Sequence, residues 1–582
     1  MSRNGEVADR LEEFADLLEA RDVEYKPRAY RRAAENVRDH PGAVEDLASE
    51  GPSAVKEIEG VGDAIAEKIV EYLRTGSIEE LDELRAELPV DMGALTSVEG
   101  VGPRTVGDLY EALGITDLDD LERAARNGEI QEVSGFGAKT EQNILEHIPF
   151  ARQSQERQLL GDALPLADDV VAHLDGVDAV DRIEVAGSIR RWRETIGDVD
   201  VLVASEERPA VIEAFTDWDR VGDLIESGGD KASVRVDDIR VDLRVVVPGE
   251  FGSALQYFTG SRDHNVRLRN VAIERDLKMN EYGVFDVSEV PEDETGQRVG
   301  ERVAGETEEE MYAALDLPWI PPELREDTGE VQAAQDGVLP DLLEEEEIRG
   351  DLHTHTDWSD GDYTIEEMVA AAAEFGYDYH TVSDHAAGPG VFGNAGLTED
   401  EIREQMDAVA EVRADADIEV FHGIEANIDA DGGVTTDDDV LDELDVVVAS
   451  PHSDLDQDRE AATDRIVRAI EHPSVDVIGH PSGRKLNERP GLDLDYGRVV
   501  EAAVDHGTAL EINANPVRLD LRSEAVRVAV DAGATLAIDT DAHAPSSLEF
   551  VRYGVHTARR GWAGTGDVLN TRDADGVREF VH

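Results

Sequence analysis

Two aspartates, Asp198 and Asp200, lie two residues apart in a valine-rich run that reads "GDVDVLV". Side chains alternate along a strand, so both carboxylates fall on one face of a sheet. Two like charges at that spacing repel each other unless a cation neutralises them. The residues just upstream, "GSIRR", combine small side chains with arginines, which suits an anion. The stretch therefore predicts a site where metal ions and an anionic substrate meet.

A third acid, Asp242, stands alone in another strand-like run, "IRVDLRVVV". Three carboxylates on one sheet face would hold two Mg²⁺ or Mn²⁺ ions, which stabilise the attacking and leaving oxygens of a phosphoryl transfer. Gly187, Ser188 and Arg191 would then hold a nucleotide triphosphate. The alternative is a chance grouping of aspartates in an acid-rich chain.

Histidines and acids also recur at the ends of strand-like runs in the last part of the chain. They are His353, His355, Asp360, His385, Glu425, His452, His480, Asp541 and His543. A single histidine is usually structural, but nitrogen and oxygen donors gathered at strand ends suit Mn²⁺, Zn²⁺ or Fe²⁺ ions. Such a cluster could activate water and bind a phosphate.

The elements that carry this second cluster alternate between strands and helices after residue 350. Seven strand-like runs, such as "YHTVSDHA" and "DVVVASPHS", are separated by helical patterns such as "TIEEMVAAAAEFG". Repeated βα units predict a barrel whose chemistry lies at the carboxyl ends of its strands.

The first 150 or so residues instead favour short helices joined by glycine turns. An apolar residue, a G-x-G turn and a new helix recur three times, at Gly60 and Gly62, Gly100 and Gly102, and Gly135 and Gly137. Amides at such turns suit phosphates, so the repeats predict helix-hairpin-helix elements that bind a DNA backbone without reading its sequence. Glycine-capped turns without a ligand are the alternative.

Composition narrows the class of protein. The 582 residues include 133 Asp and Glu against 54 Lys and Arg, a net charge of −79, yet 40% are hydrophobic. Because the acids are spread along the chain, we expect a globular protein adapted to high salt, where a Debye length of about 3 Å screens self-repulsion. In this respect the chain resembles haloarchaeal proteins.

The chain has no cysteine, which excludes disulfides and thiolate zinc sites. No apolar run approaches the roughly 18 residues of a membrane span, and the start "MSRNGEVADRLEEFADLL" predicts an acidic amphipathic helix rather than a signal peptide. We therefore expect a cytoplasmic protein without membrane contact.

Four stretches resemble the palm and thumb of family X DNA polymerases: "GSIRRWRETIGDVDVLV", "RVDLRVV", "QYFTGSRDHNVRLRN" and "MNEYGVF". The likeness covers residues 1 to about 325. It implies that Asp198, Asp200 and Asp242 are metal ligands, and that Ser188 and Arg191 contact the phosphates of an incoming nucleotide.

The same resemblance implies a nucleotide pocket around "YFTGS". Tyr257 and Phe258, followed by Gly260, would wall the sugar pocket, and Asn265 and Arg269 would lie along the minor groove of the nascent base pair. The chain departs from the family pattern at Arg262, where DNA polymerase beta has an aspartate near the base. That departure leaves nucleotide selectivity open.

Members of this family often carry a 5′-deoxyribose-phosphate lyase in the first helix-hairpin-helix domain. By this match Lys68 is the Schiff-base nucleophile, Tyr30 the accompanying tyrosine and Lys26 a phosphate contact. An amine of this kind attacks the abasic sugar once its pKa is lowered. Ala64 replaces another lysine of that pocket, and a solvent-facing helix lysine is the alternative.

The C-terminal run resembles a PHP domain, with all nine positions of its trinuclear metal pattern filled. The resemblance implies a phosphoesterase, and fusion to a polymerase implies trimming of DNA 3′ ends.

We therefore predict a multidomain protein: an all-α helix-hairpin-helix region, an α+β nucleotidyltransferase palm and thumb, and a C-terminal (β/α)7 PHP barrel. The predicted parts are a lyase-like DNA-binding domain (1–85), fingers (86–155), palm (156–248), thumb (249–325), linker (326–349) and PHP domain (350–582). The predicted function is a monomeric DNA polymerase that fills short gaps from deoxynucleoside triphosphates, with a 3′-to-5′ exonuclease.

Three alternatives stay open at this point. The palm could transfer a nucleotide to a small molecule, the chain could be a non-catalytic DNA-binding scaffold, or the PHP domain could act on small phosphomonoesters.

Overall fold

The computed structural model describes residues 4–21, 23, 26–38, 44–56, 58, 60–98, 100–133, 135–155, 157–291, 296–391 and 395–581. The chain forms two compact units, one comprising Met1–Glu156 with Asn487–Arg489 and the other the rest. Along the described ranges, no helix is both long enough and apolar enough to cross a membrane.

The first unit is helical. Its helices are α1 (Asn4–Ala20), α2 (Lys26–Arg38), α3 (Val44–Glu50), α4 (Pro52–Val55), α5 (Asp63–Thr75), α6 (Glu79–Glu87), α7 (Met92–Thr96), α8 (Pro103–Leu113), α9 (Leu118–Arg126) and α10 (Ala138–Gln155). Their apolar faces pack into one core that includes Phe14, Leu81 and Ile144. The predicted helical region is confirmed.

The three G-x-G turns share a backbone pattern. The first glycine of each has a positive φ: Gly60 (72°), Gly100 (83°) and Gly135 (96°). The central residues Val61 and Val101 are buried, which ties the first two turns to the core. A Cβ on Gly62, Gly102 or Gly137 would meet no atom within 4 Å. Packing therefore does not require the second glycine, and the backbone there is open to a ligand.

The second unit begins with a mixed α/β layer. Its elements are β1 (Gln158–Leu159), α11 (Leu160–Asp175), β2 (Arg182–Val185), α12 (Gly187–Arg190), β3 (Thr195–Ile196), β4 (Val199–Ala204), α13 (Arg208–Thr216), β5 (Asp223–Ser227), β6 (Lys231–Val236) and β7 (Ile239–Val246). The main sheet has the order β2-β4-β7-β6-β5, with β4 and β7 parallel. Burial alternates along β7, so Val241, Leu243 and Val245 face the core while Asp242 lies on the open face.

A smaller α+β layer follows. It consists of α14 (Phe251–Thr259), α15 (Arg262–Ile273), β8 (Leu277–Asn280), β9 (Gly283–Asp286), β10 (Glu301–Ala304) and α16 (Glu308–Ala313), with the strands antiparallel in the order β10-β9-β8. The segment 326–349, predicted as a linker, contains α17 (Glu330–Asp336). Its Val331 and Leu342 belong to the core of this layer, whereas Leu343 and Ile348 belong to the core of the domain that follows.

That last domain is a seven-stranded parallel barrel. Its strands are β11 (Gly350–Asp351), β12 (Tyr379–Val382), β13 (Glu419–Asn427), β14 (Val446–Ser450), β15 (Val477–Ile478), β16 (Ala509–Asn513) and β17 (Leu536–Asp539), hydrogen-bonded in sequence order. Its helices are α18 (Ile365–Phe375), α19 (Glu399–Asp415), α20 (Asp438–Leu441), α21 (Arg459–Ile470), α22 (Tyr496–His506), α23 (Ser523–Ala532), α24 (Val551–Arg560) and α25 (Ala574–Arg578).

The barrel comes close to closure just past its first and last strands, where Thr354 bridges Ala542 in parallel. Every residue of β14 is buried, as expected for a parallel strand covered on both faces. The predicted (β/α)7 architecture is confirmed.

Candidate active sites

The three aspartates of the palm lie together because two parallel strands are in register. Asp200 on β4 is the direct partner of Asp242 on β7, and Asp198 precedes Asp200 by two residues. One oxygen from each carboxylate lies within 4.8 Å of the others. The predicted convergence is therefore present in the fold, and an all-oxygen donor set of this kind fits Mg²⁺ or Mn²⁺.

The electrostatics of this group call for a cation. Burial and the neighbouring Asp198 and Asp242 raise the pKa of Asp200 to about 7. Burial and Asp242 also raise the pKa of Asp198. Arg240 donates from Nε to Asp242 Oδ1 at 2.9 Å, which neutralises part of the charge. A divalent ion would stabilise the ionised form of all three acids.

Gly187 is required by the position of Asp200. Its φ is 63°, and a Cβ added there would lie 2.0 Å from Oδ2 of Asp200. Neither the conformation nor the space admits a side chain. Gly187, which the sequence predicts to hold a triphosphate, therefore lets the backbone pass against the Asp200 carboxylate.

We expect Gly187→Ala to lower nucleotide incorporation by about 10²-fold, because a displacement near 1 Å costs about that much in a catalytic constellation. Gap filling with a single nucleotide measures the effect. Gly176→Ala is the matched control, since Gly176 has a negative φ and its nearest atom lies 3.5 Å from an added Cβ. Full activity of Gly187→Ala would show that the position of the Asp200 carboxylate does not matter for nucleotide incorporation.

Two arginines after the glycine have defined partners. Arg190 makes a two-point ion pair with Glu308, with both N–O distances 2.9 Å. Arg191 donates from Nε to Glu326 Oε1 at 2.9 Å and from Nη1 to the Thr259 carbonyl at 2.7 Å. The positive charge of Arg191 also acts to lower the pKa of Asp200, so this guanidinium lies near the carboxylates. Phosphate contact by Ser188 and Arg191 stays a prediction.

The "YFTGS" segment is braced by Asn265. Its Nδ2 donates to the carbonyls of Tyr257 at 2.7 Å and Gly260 at 3.1 Å. A Cβ on Gly260 would lie 2.6 Å from Oδ1 of Asn265, so glycine is needed there. The rings of Tyr257 and Phe258 meet edge to face at 5.3 Å. In this structure Asn265 shapes the pocket, and its predicted groove contact, like that of Arg269, stays a prediction.

Phe258 lines a cleft of about 200 Å³ that also contains Asp200 and Asp242. Arg240 and Arg244 line the same cleft, and the Arg244 guanidinium lies 4.9 Å from the Phe258 ring centre. Sequence reasoning missed both arginines, although the alternation that singled out Asp242 puts residues 240, 242 and 244 on one face. They supply the cationic surface of the cleft.

The nine predicted residues of the barrel converge at the carboxyl ends of its strands. Seven of them form three overlapping groups whose ligand atoms lie within 4.8 Å: His355, Asp360, His385 and His543; His353, His355 and Glu425; and His385, Glu425 and His452. His480 adjoins them, with Nε2 2.9 Å from Glu425 Oε1. The strand-end prediction is therefore consistent with the fold, and overlapping groups suit a cluster of ions.

Glu425 is the shared member of this cluster. Burial acts to raise the pKa of Glu425, but His385, His452 and His353 outweigh burial and hold this pKa well below its usual range. Within the described chain, Glu425 Oε2, both ring nitrogens of His355 and Nε2 of His353 are buried without a hydrogen bond of good geometry. Buried polar atoms left unpaired are rare in proteins, so this set fits divalent metal ions.

Several residues that support the cluster were missed by sequence reasoning. His353 Nδ1 donates to Glu511 at 2.7 Å, and Asn427 Oδ1 lies 2.8 Å from Nδ1 of His452. These bonds leave the opposite ring nitrogens for a metal, as in many metalloenzymes. The Nε of Arg518 lies 3.4 Å from Asp541, so a cation borders the cluster. Glu511 and Arg518 lack a local sequence signal, because their partners are distant along the chain.

The helical unit places Lys68 beside an acid. Its Nζ lies 2.7 Å from Glu80 Oε2 and its charge lies 5.3 Å from the Phe14 ring centre. Burial acts to lower the pKa of Lys68, but Glu80 and Tyr30 outweigh it and raise the pKa. The resting amine is therefore protonated. Lys26 is exposed at the first position of α2.

Four protein-family models match the chain. They are described as a helix-hairpin-helix domain over residues 2–78, a SAM-like helix-hairpin-helix tandem over 92–148, the DNA polymerase beta thumb over 254–326 and a PHP domain over 351–515. Together they match the helical unit, the smaller α+β layer and most of the barrel.

Similar proteins fall into two kinds. The "DNA polymerase/3'-5' exonuclease PolX" of Bacillus subtilis is 35% identical over 576 residues, 98% of each chain. DNA polymerase lambda of Rattus norvegicus is 24% identical over 56% of each chain. A probable phosphatase of Caldanaerobacter subterraneus is 32% identical over 33% of this chain and 75% of its own. Because the first of these likenesses extends along nearly the whole of both proteins, the chain belongs to the family X DNA polymerases that carry a C-terminal PHP domain.

Proposed function

We propose that this protein is a DNA repair polymerase that fills short gaps and that its barrel removes nucleotides from 3′ ends. The polymerase activity is supported chiefly by the register of β4 and β7, which places Asp200 beside Asp242 in a cleft lined by arginines. The likeness to a Bacillus subtilis polymerase and exonuclease over the full chain supports both parts.

In the palm, Asp198, Asp200 and Asp242 would hold two divalent ions, with Mg²⁺ or Mn²⁺ as the proposed metals. Such ions supply charge stabilisation for an in-line displacement at a phosphorus atom. Arg191 and Ser188 would hold the triphosphate of the incoming nucleotide. The Tyr257 ring would crowd a ribose 2′-OH and so select deoxynucleotides.

The helical unit would hold the DNA through backbone amides at its glycine turns. We infer adaptation to high salt from the net charge of −79. At molar salt, release of counterions adds little to affinity, so neutral amide-to-phosphate bonds are the suitable contact. We further propose that the protein acts as a monomer and in the cytoplasm, where its DNA substrate lies.

In the barrel, the nine ligands from His353 to His543 would hold up to three Mn²⁺, Zn²⁺ or Fe²⁺ ions. Metals so bound supply a hydroxide nucleophile at neutral pH. The protein's own part is to orient the imidazoles through Glu511 and Asn427. Arg518 would add a positive charge on the substrate side.

A second candidate for the barrel alone is a phosphatase of small molecules, because probable phosphatases match this part of the chain. Turnover on single-stranded DNA and on small phosphomonoesters separates the two. Primer extension and 3′-end degradation, assayed in molar KCl with Mg²⁺ and with Mn²⁺, test the whole proposal. Absence of templated extension under all these conditions would contradict the polymerase assignment.

The proposed lyase makes a separate prediction. Borohydride should trap Lys68 on DNA with a 5′-deoxyribose phosphate, and the yield should rise with pH, because Glu80 and Tyr30 raise the pKa of the amine. Glu80→Gln should increase trapping at pH 7, and Lys68→Ala should abolish it. Lys56→Ala is the matched control, since Lys56 also pairs with an acid, Asp63, at 2.5 Å. Undiminished trapping in Lys68→Ala would assign the nucleophile to another residue.

A further inference from the structure

The last long helix of the barrel, α24, contacts the loop that follows Gly187 in the palm. The Trp192 ring lies parallel to the His556 ring with their centres 3.6 Å apart and an interplanar angle of 3°. Tyr553 meets the edge of the same ring at 6.0 Å, and the guanidinium of Arg552 lies 5.3 Å from its centre. Three residues of one barrel helix therefore enclose a palm tryptophan.

The same helix also binds the backbone of this loop. Arg560 donates from Nη1 to the carbonyl of Arg191 at 2.6 Å. Glu326 lies between the two arginines, with Oε1 at 2.9 Å from Arg191 Nε and at 3.4 Å from Arg560 Nη1. The side chains of Arg560 and Glu326 are only 8% and 16% exposed, so solvent screens this network little.

The loop has a conformation that needs such support. Trp192 has a φ of 52°, in the left-handed region that bulky residues avoid. Two residues further on, Glu194 accepts from Arg484 of the barrel at 2.9 Å. The barrel thus contacts the loop at its start, at its middle and at its end.

The smaller α+β layer supplies the other anchors of the loop. Arg190 is bound to Glu308, and Arg191 Nη1 is bound to the Thr259 carbonyl. Without the barrel, the Arg191 side chain would keep its hydrogen bonds to the Thr259 carbonyl and to Glu326, but the Arg191 carbonyl would lose the bond from Arg560. Both sets of anchors thus hold the residue whose guanidinium charge acts on Asp200.

We propose that His556 and Arg560 of the barrel are positioning residues for the nucleotide site of the palm. By holding the loop Arg191–Glu194, they keep the Arg191 guanidinium directed at the triphosphate. This inference rests on the proposed role of Arg191 in nucleotide binding. It makes nucleotide affinity in the polymerase site depend on a surface of the barrel, independently of the metal ions in the barrel.

The test uses the full-length protein and steady-state filling of a one-nucleotide gap over a range of nucleotide concentrations. We expect His556→Ala and Arg560→Ala to raise KM for the nucleotide at least about tenfold and to change kcat less than about threefold, the split that marks lost ground-state binding. Degradation of single strands should stay at the parental rate, which reports an intact barrel in the same molecules. Arg527→Ala is the matched control, because Arg527 stacks on Trp562 and pairs with Asp531, both within the barrel.

If a barrel variant folds poorly, substitutions in the palm test the same inference. Trp192→Ala should raise KM as Arg560→Ala does, whereas Trp192→Phe, which keeps a ring over His556, should restore most of the affinity. Unchanged KM in His556→Ala and Arg560→Ala, or in Trp192→Ala, would overturn the inference. Arg191→Ala separates this failure from that of the proposed function. If Arg191→Ala raises KM and the other variants do not, only the positioning role is wrong. If Arg191→Ala leaves KM unchanged, the phosphate role of Arg191 is wrong.

Discussion

Asp200→Ala should lower nucleotide incorporation at a one-nucleotide gap by about 10³-fold or more, because loss of a metal ligand removes about 4 kcal/mol of transition-state stabilisation and each 1.36 kcal/mol is tenfold. Asp200 is the partner of Asp242 in the sheet register and lies within ligand distance of both other acids. Single-turnover extension with Mg²⁺ or Mn²⁺ in molar KCl measures the loss. Degradation of 3′ ends by the barrel should be unaffected.

The fold should survive this change. The pKa of Asp200 is raised to about 7 in the folded protein, so its ionisation opposes folding as pH rises through that value. Below the ordinary pKa near 3.8 the carboxyl is neutral in both states and this penalty is absent. In EDTA, Asp200→Ala should therefore be at least as stable as the parent above pH 7. Asp223→Ala, an exposed acid on the edge strand of the same sheet, is the control. Parental extension by Asp200→Ala would refute the metal-site assignment.

His355→Ala should reduce 3′-to-5′ degradation of single strands by about 10²-fold or more. Loss of a metal ligand should lower activity at least as much as loss of an outer residue that orients such a ligand. His355 is buried and belongs to two of the three ligand groups. Metal content by mass spectrometry should fall along with activity. Gap filling should continue, because the palm has its own carboxylates.

His506→Ala, an exposed histidine at the end of α22, is the control for this variant. If nuclease-free His355→Ala still degrades 3′ ends at the parental rate, the barrel is not the exonuclease. Asp200→Ala and His355→Ala should thus lose opposite activities. Loss of both activities in either variant would show that the two sites share a component.

Period-two alternation was enough to predict that Asp198, Asp200 and Asp242 share a sheet face. Strand ends were likewise enough to predict that the histidines and acids of the barrel lie close together, because parallel strands bring their carboxyl ends to one edge. Both predictions rest on geometry that is local to an element or common to a whole fold class. The same holds for the glycine turns of the helical unit.

What the sequence did not reveal depends on contacts between distant segments. No local sequence pattern indicates that the Asn265 amide bonds to the Tyr257 carbonyl. Nor does any pattern indicate that Trp192 stacks on His556, 364 positions later by their residue numbers. The segment 326–349 lacks a sustained apolar period, so its division between two cores was not predictable. Side-chain partners across a tertiary interface follow from packing, which no local pattern encodes.

The segment 326–349 has a kinetic consequence. Leu342 and Leu343 are adjacent in the chain but lie in two different cores, so the polymerase layer and the barrel have no slack between them. We therefore do not expect the protein to carry a primer terminus from the palm to the barrel by swinging a domain on a flexible tether. The terminus itself must unpair and travel, at a cost of a few kcal/mol that is smallest for a mismatched end. Selection of faulty ends for removal would then be a property of DNA fraying, and its rate should follow the base pair at the terminus.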